Sequence, residues 1–201
     1  MPIMKQLSMV TLVGCLALTA CAQNTDSAMT PPAAAAVTPA VGPNVMADLA
    51  KDVADVGKKM VDLAKAMPEG TLTWRPTAGV RSVREVLLHI AGENYLIPSF
   101  MGTPIPPEIG IVGTDLKTVD AYEKRDVTKD QAVTDLEASF KQLQKAMSVD
   151  SNATLGTEVD FFGTKMSRQA AWIGTVTHLH EHLGQAMAYA RSNKVAPPWS
   201  K

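Results

Sequence analysis

Between Arg168 and Arg191 the only formal charge is Glu181. Wound at about 100° per residue, Trp172, Val176, Leu179, Leu183, Met187 and Ala190 of this stretch fall within roughly 40° of one line. A helix this long and this amphipathic must lay its apolar stripe against other elements. Three further segments can supply them. Asn44 can cap a helix in which Met46, Leu49, Val53, Val56, Met60, Leu63 and Met67 recur at three- and four-residue steps, with Pro68-Glu69-Gly70 ending it. Ser82 and Glu85 have the spacing of a capping box. They open a helix expected to reach about Ile97, stopped by Pro98, with Val83, Val86, Leu87, Ile90 and Asn94 as its buried stripe. Thr128 with Gln131 marks a third start, followed by Val133, Leu136, Phe140, Leu143 and Met147. The fourth helix should run from near Ser167 to Ser192. The spacing thus predicts an all-α fold, a four-helix bundle.

The connections are uneven. A segment from Thr71 to Arg81 contains Trp74, Pro76 and Gly79. Residues 98–127 form a long irregular stretch rich in proline and glycine, and loops of that length are usually crossovers or functional segments. A crossover would let helices two and three run parallel; a substrate lid is the other reading. Residues 148–164 are polar and turn-rich, with a short extended piece expected around Val159–Phe162. No internal repeat is visible.

The final helix also concentrates histidine. His178, His180 and His182 are three of the four histidines in the chain. Residues four apart on a helix differ by only about 40°, so His178 and His182 project from one face, one turn apart, as two metal ligands on a helix do. His180 stands about 160° away from both and cannot join them. The fourth, His89, sits about 110° from the middle of its helix's stripe, at the border of core and water. That position suits a ligand lining a cleft and equally a surface histidine. Glu93 shares the His89 face and could support a ligand or act as a base, although a solvated glutamate is the plainer reading. Gln185 could hydrogen-bond a ligand or pack against Gly184. Tyr189 could contact a substrate or pack. Glu181 points away from the histidine pair.

Composition narrows the function classes. The 201 residues are 46 % hydrophobic and 19 % charged with formal net charge −1, enough for one globular domain with appendages. No basic stripe with interleaved aromatics appears, so nucleic acid is not an expected partner. The two cysteines, Cys15 and Cys21, both lie near the start, so the folded region has neither a disulfide framework nor a cysteine nucleophile.

The N-terminus reads as an address. Lys5 precedes an apolar run from Leu7 to Ala20, which is shorter than a comfortable membrane span of about 20 residues and has the pattern of a secretory signal. Leu18-Thr19-Ala20-Cys21 resembles the lipobox of bacterial lipoproteins. That resemblance implies a signal at 1–20, lipidation of Cys21 and a membrane partner through its acyl chains. With Ala22 after the cysteine, it implies an exported protein on the outer membrane facing the periplasm of a Gram-negative cell. Residues 22–43 are mostly Ala, Pro, Thr and Ser with one charge, a tether without an amphipathic pattern. The folded domain is expected over 44–201.

Trp74-x-Pro76-x-x-Gly79-x-x-Ser82-x-x-Glu85-x-x-x-His89, followed by His178-x-x-x-His182-x-Gly184-Gln185, resembles the DinB-like (YfiT-type) superfamily. The resemblance covers about 44–198. It implies an up-down-down-up bundle with a long connection between helices two and three. It also implies a divalent metal, zinc or nickel first and iron or manganese next, held by His89, His178 and His182. His180 matches no ligand position. Three neutral imidazoles would leave open positions on such an ion, where it can activate water or polarise a carbonyl or thiol.

Family members include thiol transferases using bacillithiol or mycothiol and a thiol-dependent maleylpyruvate isomerase. Export argues against the thiol branch, because those thiols are cytoplasmic. The expected function is a metal-dependent hydrolase or transferase on an unidentified small molecule. A non-catalytic envelope lipoprotein that binds or senses metal or a small ligand is the alternative. A homodimer stays open.

Overall fold

Each helix begins where a side chain can accept one of its free amides. The computed structural model describes residues 43–200. The expected signal, Cys15, Cys21 and nearly all of the tether lie outside the described residues. Asn44 accepts from the Ala47 amide at 3.2 Å and opens α1, Val45–Ala66. Ser82 opens α2, Val83–Leu96, with both halves of the capping box formed: the Glu85 amide donates to Ser82 Oγ and the Ser82 amide to Glu85 Oε2. Asp115 caps α3, Leu116–Glu123, Thr128 caps α4, Lys129–Ser148, and Ser167 caps α5, Arg168–Ser192.

α1, α2, α4 and α5 form the bundle. α1 and α2 each pack against both α4 and α5. Contacts near the helix ends fix the directions. The Lys129 amide donates to Glu69 just past α1, and the Met46 amide to Asn152 just past α4, so α1 and α4 are antiparallel. Arg84 pairs with Asp126 ahead of α4 and Asn94 donates to Ser139 within it, so α2 and α4 run parallel. Tyr189 donates to the Arg81 carbonyl, setting α5 antiparallel to α2. The order is up-down-down-up, and the crossover between α2 and α4 is what permits the parallel pair.

The predicted stripes enter the core. Val53, Val56, Met60 and Leu63 of α1, Leu136, Phe140, Leu143 and Met147 of α4, and Trp172, Leu179 and Leu183 of α5 are all buried. α2 departs from expectation. It is buried on nearly every face, including Leu88, His89, Ala91, Gly92 and Tyr95 outside its expected stripe. The reason is α3, which lies within the stretch expected to be irregular and packs on the face of α2 turned away from the bundle. Gly92 allows this approach, since a Cβ there would lie 3.3 Å from Tyr122 Cδ1.

Pro98 does not stop the chain from winding. The helix tightens into a 3-10 turn over Ile97–Met101, with Pro98 near its start where its missing amide costs nothing, and ends at Gly102 with φ 88°. After α4, the expected extended piece is a hairpin, β1 Glu158–Phe161 against β2 Thr164–Ser167. Its two-residue turn has φ 53° at Phe162 and 80° at Gly163. Asp150, nearly buried, accepts from Trp172 Nε1 at 2.8 Å and from Arg168 Nη1 at 3.0 Å, tying the end of α4 to the start of α5.

Candidate metal centre

α2 and α5 run antiparallel, so His89 on the second turn of α2 meets the middle of α5, where His178 and His182 stand one turn apart. One potential ligand atom from each of the three imidazoles lies within 4.8 Å of the other two. The ring centroids are 4.4 Å apart for His178 and His182, 4.6 Å for His89 and His182, and 5.5 Å for His89 and His178. His89 is buried rather than bordering water, because the crossover closes over it. His178 and His182 are partly buried. His180 lies on the opposite side, exposed, with Nε2 3.0 Å from Asp52 on α1.

Two of the three rings are fixed by acceptors. His89 Nδ1 donates to Glu123 Oε2 at 3.1 Å, and His182 Nδ1 donates to Gln185 Oε1 at 2.8 Å. These bonds select tautomers that keep the lone pair on Nε2, the arrangement found around metal-ligating histidines. Gln185 is held in turn by Tyr189, whose hydroxyl accepts from Gln185 Nε2 and donates to the Arg81 carbonyl. Tyr189 is buried edge-on against Trp74, with centroids 5.3 Å apart, so it packs.

Glu123 was invisible in the sequence pattern. It is the last residue of α3, and its other oxygen accepts from Arg81 Nε at 2.7 Å. Burial by itself would raise the Glu123 carboxyl. The hydrogen bonds from His89 and Arg81, with the Arg81 charge, outweigh burial and hold it at about 2. A fixed negative charge therefore sits behind His89. Asp115, Val119 and Tyr122 were the available signals for α3, but a cap and two apolar residues three apart do not distinguish a short helix from a loop.

Burial disfavours the charged form of both imidazoles on α5. Burial, followed by the neighbouring His182 and His89, pushes His178 down to about 4. Burial also lowers His182, with Gln185 opposing it. His178 Nε2 is buried and, among the described residues, has no hydrogen-bond partner. An unpartnered buried nitrogen costs about 1–3 kcal/mol, and a divalent ion within reach of all three rings would remove that cost. The donor set therefore fits a metal: three imidazole nitrogens within reach of one another, two of the rings with their far nitrogens anchored.

Beside His178 opens a cleft of about 340 Å³ lined by Glu93, Ile97, Phe161, Phe162 and Gly174. Glu93 is half-buried here rather than solvated. Burial raises its carboxyl, while His89 and Arg81 pull it down less strongly. Glu181 is exposed, as expected.

The family profile of the DinB superfamily matches residues 54–186, from the middle of α1 through most of α5, and takes in His89, His178 and His182. Among solved structures, the chain is similar to a DinB-like protein from Bacillus cereus ATCC 10987. That similarity has a TM-score of 0.62 at 15 % identity and covers 76 % of this chain and 95 % of that one. At that identity the likeness concerns the fold. No curated protein matches the chain.

Proposed function

The chain belongs to the DinB superfamily, and on that footing we propose that its domain holds one divalent metal ion on His89, His178 and His182. The observation that carries the reading is the convergence of three imidazoles around His178 Nε2, buried and without a hydrogen-bond partner among the described residues. Neutral nitrogen donors suit zinc or nickel ahead of iron or manganese. When bound, the ion would supply Lewis acidity to a carbonyl, phosphoryl or thiol group, or to water.

The surrounding residues prepare that chemistry. Glu123 and Gln185 keep His89 and His182 in one tautomer and orientation, and Arg81 keeps Glu123 ionised. Glu93, in the same cleft as His178, is placed to accept a proton from a ligand bound there. An accessible cleft with a carboxylate beside the ligand set favours a metal-dependent hydrolase or transferase over a passive metal store. Elemental analysis of the purified domain should find about one ion per chain, retained in His180→Ala and lost in His178→Ala. Full metal content in His178→Ala would overturn the assignment. If chelation leaves turnover of a responsive substrate unchanged, the domain is a ligand or metal binder instead.

Anchoring at Cys21 belongs to the same proposal and rests on Leu18-Thr19-Ala20-Cys21. Growth with labelled fatty acid should mark the wild-type chain and leave Cys21→Ser unlabelled.

A further inference from the structure

The cleft beside His178 has a composition that the metal chemistry does not explain. Its walls are Ile97 from the 3-10 turn after α2, Phe161 and Phe162 from the hairpin, and the bare backbone of Gly174 on α5. Phe100 joins the hairpin aromatics, with ring centroids 4.5 Å from Phe162 and 5.5 Å from Phe161. Apart from His178, the one ionisable group in the lining is Glu93. Among the described residues no lysine or arginine lines the cleft, so away from the histidine cluster an anionic group would face the Glu93 carboxylate with no basic side chain in the wall.

Two backbone details point the same way. Phe162 has φ 53°, a left-handed conformation that residues with a β-carbon adopt at a cost, and the residue is 45 % exposed. Two-residue turns of this kind favour asparagine before glycine. A phenylalanine there gives up turn stability to present an aromatic face over the cleft. Gly174 lies within α5, where glycine weakens the helix. A Cβ at Gly174 would meet nothing within 4 Å, so packing does not demand the glycine, and its absent side chain leaves the cleft open.

We infer that this cleft is a subsite for the uncharged aryl portion of a ligand whose polar head reaches the three histidines. The inference rests on the metal-site reading for the head and on the cleft alone for the aryl group. A volume of about 340 Å³ falls at the small end of ligand pockets and accommodates one or two rings. Ile97, Phe161 and Phe162 supply the contacts, and Glu93 excludes anions while accepting a hydrogen bond from a ligand N–H or O–H.

The test uses the purified full chain loaded with zinc, titrated with acetohydroxamic acid and with benzohydroxamic acid, which share a metal-binding head and differ in the ring. The ring should tighten binding roughly tenfold or more through apolar burial. Gly174→Leu fills the cleft from an exposed helix position, and Phe162→Asn removes the aromatic face while suiting the turn. Both should keep metal content and acetohydroxamic acid affinity and lose the advantage of the ring. Equal binding of the two acids by the wild type, or an advantage that survives both substitutions, overturns the inference. A second probe, the neutral two-ring fluorophore 1-naphthylamine, needs no metal. If the protein takes up no metal, the metal-site reading fails and this probe decides the subsite alone. Binding that weakens severalfold in both variants supports it, and binding unchanged in both overturns it.

Discussion

Replacing Glu123 by glutamine removes one charge at the point where the crossover meets the candidate metal centre. Glu123 accepts from Arg81 at 2.7 Å and from His89 at 3.1 Å, and its carboxyl is held at about 2 against an ordinary 4.5. Converted fully, a shift of that size amounts to about 3 kcal/mol. Arg81 keeps 39 % of its side chain exposed, so solvent screens part of the pair, and about 1–2 kcal/mol is the reasonable expectation. For a domain of this size that corresponds to a fall in Tm of about 2–8 °C at pH 7. Because the folded pKa lies below the unfolded one, the contribution is complete above about pH 5 and is lost as pH falls towards 2. The gap in stability between wild type and Glu123→Gln should therefore be flat from pH 8 to 5 and narrow below that. With its carboxylate partner gone, His89 should bind metal about 10–100-fold more weakly. Urea unfolding of the metal-free domains at a series of pH values, with competitive zinc titration at pH 7, measures both effects. A gap that stays constant into acid, or unchanged zinc affinity, would refute the role assigned to Glu123.

The metal-free domain should also lose stability in a higher pH range, because His178 is held at about 4 by burial and by its histidine neighbours. Its folded pKa lies below the unfolded 6.5, so this contribution is present above about pH 6.5 and lost as pH falls towards 4; thermal melts at pH 7 and pH 5 should show it, with a smaller difference in His178→Leu. Trp172→Phe removes the donor to nearly buried Asp150 and should cost about 1–3 kcal/mol. Urea denaturation reads that loss, and an unchanged midpoint would mean that Arg168 and Thr154 suffice to satisfy Asp150.

The bundle was legible because its instructions are local. Asn44, Ser82 with Glu85, Thr128 and Ser167 each cap the helix that follows, using amides only three residues away. The apolar stripes repeat at the period of the helix, so the faces of α1, α4 and α5 could be read directly. His178 and His182 share a face for the same reason, and the separation of His180 from them follows from helical geometry.

Other features depended on which elements meet. Residues 98–127 have weak local preferences, and α3 forms there because Val119 and Tyr122 find the α2 surface left open by Gly92. Docking of α3 buries α2 on nearly all sides, which a stripe read from α2 alone could not show. It also carries Glu123 to His89 across 34 positions of sequence. Glu93 looked solvated because its neighbours in the chain say nothing of the hairpin and 3-10 turn that wall the cleft around it.

Caps and periodicity act over one or two turns, so the order of residues alone sets where the helices begin, which faces they bury and which two histidines stand together. The burial of His89 with Glu123 behind it, and the aromatic cleft beside His178, come from the packed fold. Those features arise from long-range packing, where a residue's environment is set by elements far away in the chain.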